Sequence, residues 1–120
     1  MGMRDLVWLL RRGGTEPILT TLTLVGEKPR GENEYDDLAD MYSQIIRDVA
    51  KEKRCHLIEL REPLLAYVAA HNTHHVAEGF LTTGSGTHFS PLGNLVTANL
   101  ILKAFGFEAI AGDPAEAAAP

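Results

Sequence analysis

The chain is short of cysteine, of net charge and of long apolar runs, and each shortage removes a class of protein. Cys55 is the one cysteine in 120 residues, so no internal disulfide can form. Beside Leu57 and Ile58 it reads as a small buried hydrophobe, compatible with a reducing compartment. The formal net charge of -5 gives no field that would attract nucleic acid or anionic lipid, and neither is expected as a partner. No apolar run approaches the roughly 18 to 20 residues that cross a bilayer. Arg4, Asp5, Arg11 and Arg12 near the start form no secretory pattern, so a cytoplasmic location is the expectation for the chain as it stands.

What is present suits one small α/β domain, long enough to bury roughly two-thirds of the surface its unfolded chain exposes. Met3, Leu6, Val7 and Leu10 fall at helical spacing, and Arg11, Arg12, Gly13 and Gly14 supply a cationic last turn and a stop. Ile18 to Val25 is rich in β-branched residues and apolar on both faces, which predicts a central parallel strand. Gly26 to Glu34, with two glycines, a proline and five charged residues, predicts a solvated loop after that strand. Leu38, Met41, Tyr42, Ile45 and Val49 mark an amphipathic helix with Asn33 as its N-cap and Lys51, Lys53 and Arg54 at its positive end.

Cys55 to Leu60 predicts a second short strand, and Pro63 sits at a first helical position for a helix through Tyr67, Val68 and His71. A loop from Asn72 to Phe89 leads to a last helix with Ser90 as N-cap, Pro91 in its first turn, and a broad buried face of Leu92, Leu95, Val96, Leu100 and Leu102. The tail from Gly112 has too little apolar mass to pack and is expected to be disordered, leaving residues 1–111 as the domain. The order is an α/β pattern with right-handed crossovers. Two parallel strands leave two unpaired edges, so the chain reads as half of something larger.

His88 is the residue most open to chemistry. In open α/β sheets the ligand crevice lies beyond the carboxyl ends of the strands, and a loop entering a final helix can hold an imidazole there as a general base. The alternative is a histidine that bonds a backbone carbonyl near a helix start. His71, His74 and His75, with His88 or Glu78, would share a helical face only if the helix ran on past Asn72; on a solvated loop they are ordinary imidazoles, and no metal or other cofactor is expected. GSGT lacks the lysine and spacing of a phosphate loop. Arg61, Glu62, Glu27, Lys28 and Arg30 read equally as crevice residues or as surface ion pairs.

The stretch GSGTHFSPLG resembles the last signature block of the SGNH or GDSL family of ester hydrolases, where a D-G-x-H-x-x-x-x-G motif supplies the catalytic acid and histidine. The likeness in element order runs from about residue 3 to residue 107 and implies a three-layer, flavodoxin-like fold, of which this chain would be the C-terminal part. It implies that His88 is the base that takes a proton from a serine nucleophile and returns it to the leaving alcohol. Ser85 stands where the family has aspartate. A serine hydroxyl accepts the Nδ1 proton but offers no negative charge to the imidazolium, and loss of that carboxylate costs about 10⁴ in turnover in another fold.

The family's GDS-type nucleophile block and its later Gly and Asn blocks would lie before the first helix, and nothing from Met1 to Val25 matches them. Without a nucleophile the isolated chain is expected to have little or no esterase activity. Ser90 is occupied as an N-cap, and Ser43 lies mid-helix with no visible partner. Two functions follow: part of an ester hydrolase acting on a small ester, or a degenerate binding module on the same fold. In the second, a second copy or a partner would cover the open sheet edges.

Overall fold

The computed structural model describes residues 1–112; residues 113–120, nearly all of the predicted tail, lie outside the described residues. The elements in order are α1 (Met3–Arg12), β1 (Ile18–Thr20), α2 (Asp36–Lys53), β2 (His56–Ile58), α3 (Arg61–His71) and α4 (Pro91–Ala104). β1 and β2 pair in parallel, with Ile18 opposite His56 and Thr20 opposite Ile58, so β1–α2–β2 is one crossover unit. This is the α/β architecture expected from the alternating sequence pattern. None of the described helices is long and apolar enough to cross a membrane.

The helix ends follow their chemistry. Asp5 lies in the first turn of α1 and accepts the Gly2 N–H, while Arg11 and Arg12 close the last turn ahead of Gly14 at φ 84°. Ser90 caps α4 by accepting the Gly93 N–H at 3.1 Å, with Pro91 behind it, as predicted. Two expected starts differ. Asn33 does not cap α2, because its side chain holds Lys28 instead, accepting the Lys28 N–H and donating to the Lys28 carbonyl; the helix begins at Asp36. Pro63 is the third residue of α3, not the first.

β1 is also shorter than the predicted strand to Val25, and the side chain of Thr21 explains it. Thr21 still donates its N–H to Ile58, but its Oγ1 accepts the N–H groups of Leu60 (2.9 Å) and Arg61 (3.0 Å), which a longer ladder would have used. The next N–H, of Leu22, turns to Ser43 Oγ at 3.2 Å, which supplies the mid-helix serine with its partner. Thus β1 ends where the Thr21 hydroxyl takes the Leu60 donor that the next ladder step would use. Among the described residues β1 pairs along one edge, with β2.

The core runs through Leu24, Ile58, Leu60, Leu64, Val68, Leu81 and Val96, joining the strand ends to α3 and α4. Each such side chain stabilises by about 1.5–3 kcal/mol relative to exposure. α2 lies against both strands, but not by its most apolar stripe. Ala39, Ser43, Ile46, Val49 and Ala50 face inward, while Leu38, Met41, Tyr42 and Ile45 are 42–48% exposed. Cys55 is half-buried, less enclosed than its neighbours suggested.

Arg61 ties these layers together. Its side chain is 0% exposed and reaches Asp36 (3.0 Å), Asp40 (2.5 Å) and the Thr23 carbonyl (2.8 Å). It is a buried structural cation, not a crevice or surface residue. Burial alone would raise the carboxyl of Asp36, but the Asn33 side chain, the N–H groups of Gly31 and Asn33, and Arg61 all bond its anion. Together they hold its pKa below the usual aspartate value. A depressed carboxyl stabilises the fold above its unfolded pKa, near 4, and that contribution is lost as pH falls through the folded value. Urea titrations between pH 5 and pH 2.5 are therefore expected to show falling stability, with a shallower fall in Asp36→Asn; equal slopes would contradict this account.

Candidate functional site

The loop from residue 72 to residue 89 is held by one side chain that the sequence marked only as ambiguous. Glu27, 2% exposed, turns its carboxylate inward from the segment that follows β1. One oxygen accepts the N–H groups of Phe80 and Leu81, each at 3.1 Å; the other accepts the N–H of Thr82 at 2.6 Å and the Thr82 hydroxyl. The backbone of Glu27 adds two more ties, donating to the Ala77 carbonyl and accepting from Asn72 Nδ2. The signal available in the sequence was its place just after Val25-Gly26, at the carboxyl side of a strand, where crevice residues gather.

From this anchor the chain forms a narrow hairpin-like turn. Thr82 bridges Phe89, Thr83 donates to the His88 carbonyl at 2.7 Å, and Gly86 donates to the Thr83 carbonyl at 2.9 Å. Gly86, at φ 71°, packs on Gly26: a Cβ there would stand 3.4 Å from the Gly26 Cα. Ser90 closes the turn by donating its hydroxyl to the Phe80 carbonyl while capping α4. Gly93 is required by close approach, since a Cβ on it would lie 1.9 Å from the Leu81 carbonyl oxygen.

His88 and Ser85 are brought together at the exposed tip. His88 Nδ1 lies 3.0 Å from Ser85 Oγ, with Thr87 Oγ1 at 3.4 Å. Ser85 Oγ also lies 3.4 Å from the backbone N–H groups of Thr87 and His88, which donate towards it. When Nδ1 carries the ring hydrogen it donates to Ser85, and Nε2 is left as a proton acceptor. The arrangement can orient an imidazole, without an anionic partner for its charged form.

The other candidates are not assembled. α3 ends at His71, and Asn72 leaves helical geometry at ψ 65°, so His71, His74 and His75 lose the shared face; among the described residues no group of metal-binding side chains forms. Glu62 pairs with Arg30 at 2.5 Å on the surface.

Comparison with solved structures matches the fold to esterases. An acetyl xylan esterase, AlAXEase, superposes with a TM-score of 0.77 and 32% sequence identity over 84% of this chain and 50% of its own. An acetylxylan esterase from Geobacillus stearothermophilus shares the fold alone, at a TM-score of 0.62 and 19% identity over 92% of this chain and 47% of its own. The chain thus spans about half the length of these proteins. No protein-family model matches it, and no curated protein does.

Glu27→Ala would leave three backbone donors of the loop without their acceptor, each costing about 1–3 kcal/mol where water cannot replace it. Hydrogen exchange is expected to show the amides of Phe80, Leu81 and Thr82 losing protection, with stability lower by about 3 kcal/mol; unchanged protection at these three amides would contradict the anchoring role.

Proposed function

We propose that this chain is the base-bearing portion of a serine ester hydrolase of the SGNH or GDSL type, acting on acetyl or other short carboxylic esters. The observation that carries the reading is the contact of Ser85 with His88 Nδ1, made inside a Ser-Gly-x-His block that ends at the tightly packed Gly93. The likeness to an acetyl xylan esterase at 32% identity supports the same reaction class. His88 Nε2 takes the proton of a serine hydroxyl as that oxygen attacks the ester carbonyl. It then returns the proton to the leaving alcohol, while Ser85 keeps the ring in the competent tautomer. The nucleophile and oxyanion donors come from residues outside these 120. Residues 1–111 form the corresponding part of the domain.

The test uses 4-nitrophenyl acetate. The 120-residue chain alone is expected to hydrolyse it at the background rate, with no change on His88→Ala. Joined to an N-terminal half carrying a Gly-Asp-Ser block, the protein is expected to turn over, to lose about 10⁴ or more in kcat on His88→Ala, and to gain at least about ten-fold on Ser85→Asp. Activity of the joined protein that survives His88→Ala would exclude the role given to this histidine.

A second reading, a non-catalytic binding module that pairs with a second copy, draws on two features. Ser85 supplies no charge to the imidazole, and the exposed stripe of Leu38, Met41, Tyr42 and Ile45 stands on the helix beside a strand with a free edge. Light scattering is expected to give twice the chain mass, returning to a monomer on Met41→Lys with Ile45→Lys. A monomer with a cooperative melt would remove this reading.

A further inference from the structure

A cleft of about 640 Å³, which His88 does not line, opens between the loop after β1 and α3. Its volume suits a small organic molecule. The floor is aliphatic, from Leu65, Val68 and Ala69 of α3 together with Ala77, and the rim carries Lys28 and His75. Arg30 also lines the cleft but is spent on Glu62 and Asp40, and the Glu27 carboxylate is turned to residues 80–82. Neither the Lys28 ammonium nor the His75 ring has a hydrogen bond or ion pair among the described residues.

Both rim residues stand on backbone fixed in advance by an asparagine. Asn33 accepts the Lys28 N–H at 3.1 Å and donates to the Lys28 carbonyl at 3.0 Å. Asn72 does the same for Val76, at 3.1 and 2.8 Å, and its carbonyl accepts the His75 N–H at 3.1 Å. His75 is thereby held at φ 53°, in the left-handed region that histidine enters more readily than most side chains. Its imidazole stands on the rim of the cleft and has no partner among the described residues.

We propose that this cleft binds a small organic monocarboxylate. The anion sits between the Lys28 ammonium and an N–H of the His75 ring, and its aliphatic or aromatic body lies on Leu65, Val68 and Ala69. An ammonium and a ring N–H on one rim suit one carboxylate, whose charge-assisted bonds exceed those of a neutral amide. Glu32, the remaining acid on the lining, disfavours a dianion, and the aliphatic floor disfavours a phosphorylated sugar. The inference goes beyond the hydrolase reading and needs neither His88 nor ester turnover.

Titration of the ¹⁵N-labelled chain with sodium hexanoate, and with hexanamide at matched ionic strength, tests it. Hexanoate is expected to shift the amides of Lys28, Ala69 and Ala77 saturably, with hexanamide at least about ten-fold weaker. Lys28→Met and His75→Gly are each expected to weaken hexanoate about ten-fold. His75→Gly keeps the fold, because glycine adopts the same φ, so it decides the matter even if Lys28→Met unfolds the chain. Equal binding of the two ligands, unchanged affinity in His75→Gly, or no saturable shift at these amides would overturn the proposal.

Discussion

The carboxylate of Glu27 is the constraint on which the rest of the site depends. A carboxylate has about four places to accept a hydrogen bond, and here four donors from Phe80, Leu81 and Thr82 fill them. These donors are more than fifty residues away in the chain, so one side chain closes a long loop that has little apolar mass of its own. Every later element of the tip is set by that closure. Thr82 finds Phe89, Ser90 meets the Phe80 and Leu81 carbonyls, α4 can start only where Gly93 clears Leu81, and His88 is left between fixed points.

A second centre does the same for the start of α2. Arg61 gathers Asp36, Asp40 and the Thr23 carbonyl, and Asp36 in turn accepts from Gly31 and Asn33. The segment between β1 and α2 is therefore a hydrogen-bonded scaffold stretched between two buried charges of opposite sign. Removing one partner of such a buried pair typically costs about 3–5 kcal/mol, because the charge left behind has no water to turn to. Burial of these groups is tolerable only because each finds several polar partners.

The order of elements was legible in the sequence, and so was the last helix. Ser90 and Pro91 carry a local signal for its start that tertiary contacts do not overrule, although of its expected buried face only Val96 is fully enclosed, beside Gly93, Thr97 and Asn99. Ser85 and His88 were singled out together through the resemblance of their block to the ester-hydrolase signature, and the structure places them in contact. The fates of Glu27, Arg61 and Asn33 were not legible. Whether a charged side chain in a polar loop faces water or serves distant amides is decided by the chain at positions 80–82 or 36–40, which no local pattern reports. The stripe of α2 misled for a related reason: periodicity shows that a helix has two faces, and only the tertiary structure shows which one is enclosed.

That inverted helix has a consequence for how the protein tolerates change. Ala39, Ser43 and Ala50 are buried on the side of α2 that faces the strands, and Ser43 is spoken for by the Leu22 amide, so larger side chains here would overpack the interior. Leu38, Met41, Tyr42 and Ile45 are close to half exposed, where polar residues fit more easily. The tolerance of the helix to change is therefore not read from hydropathy alone: within the isolated chain Leu38, Met41, Tyr42 and Ile45 are freer to vary than the small residues Ala39, Ser43 and Ala50, while Ile46 and Val49 are both apolar and enclosed.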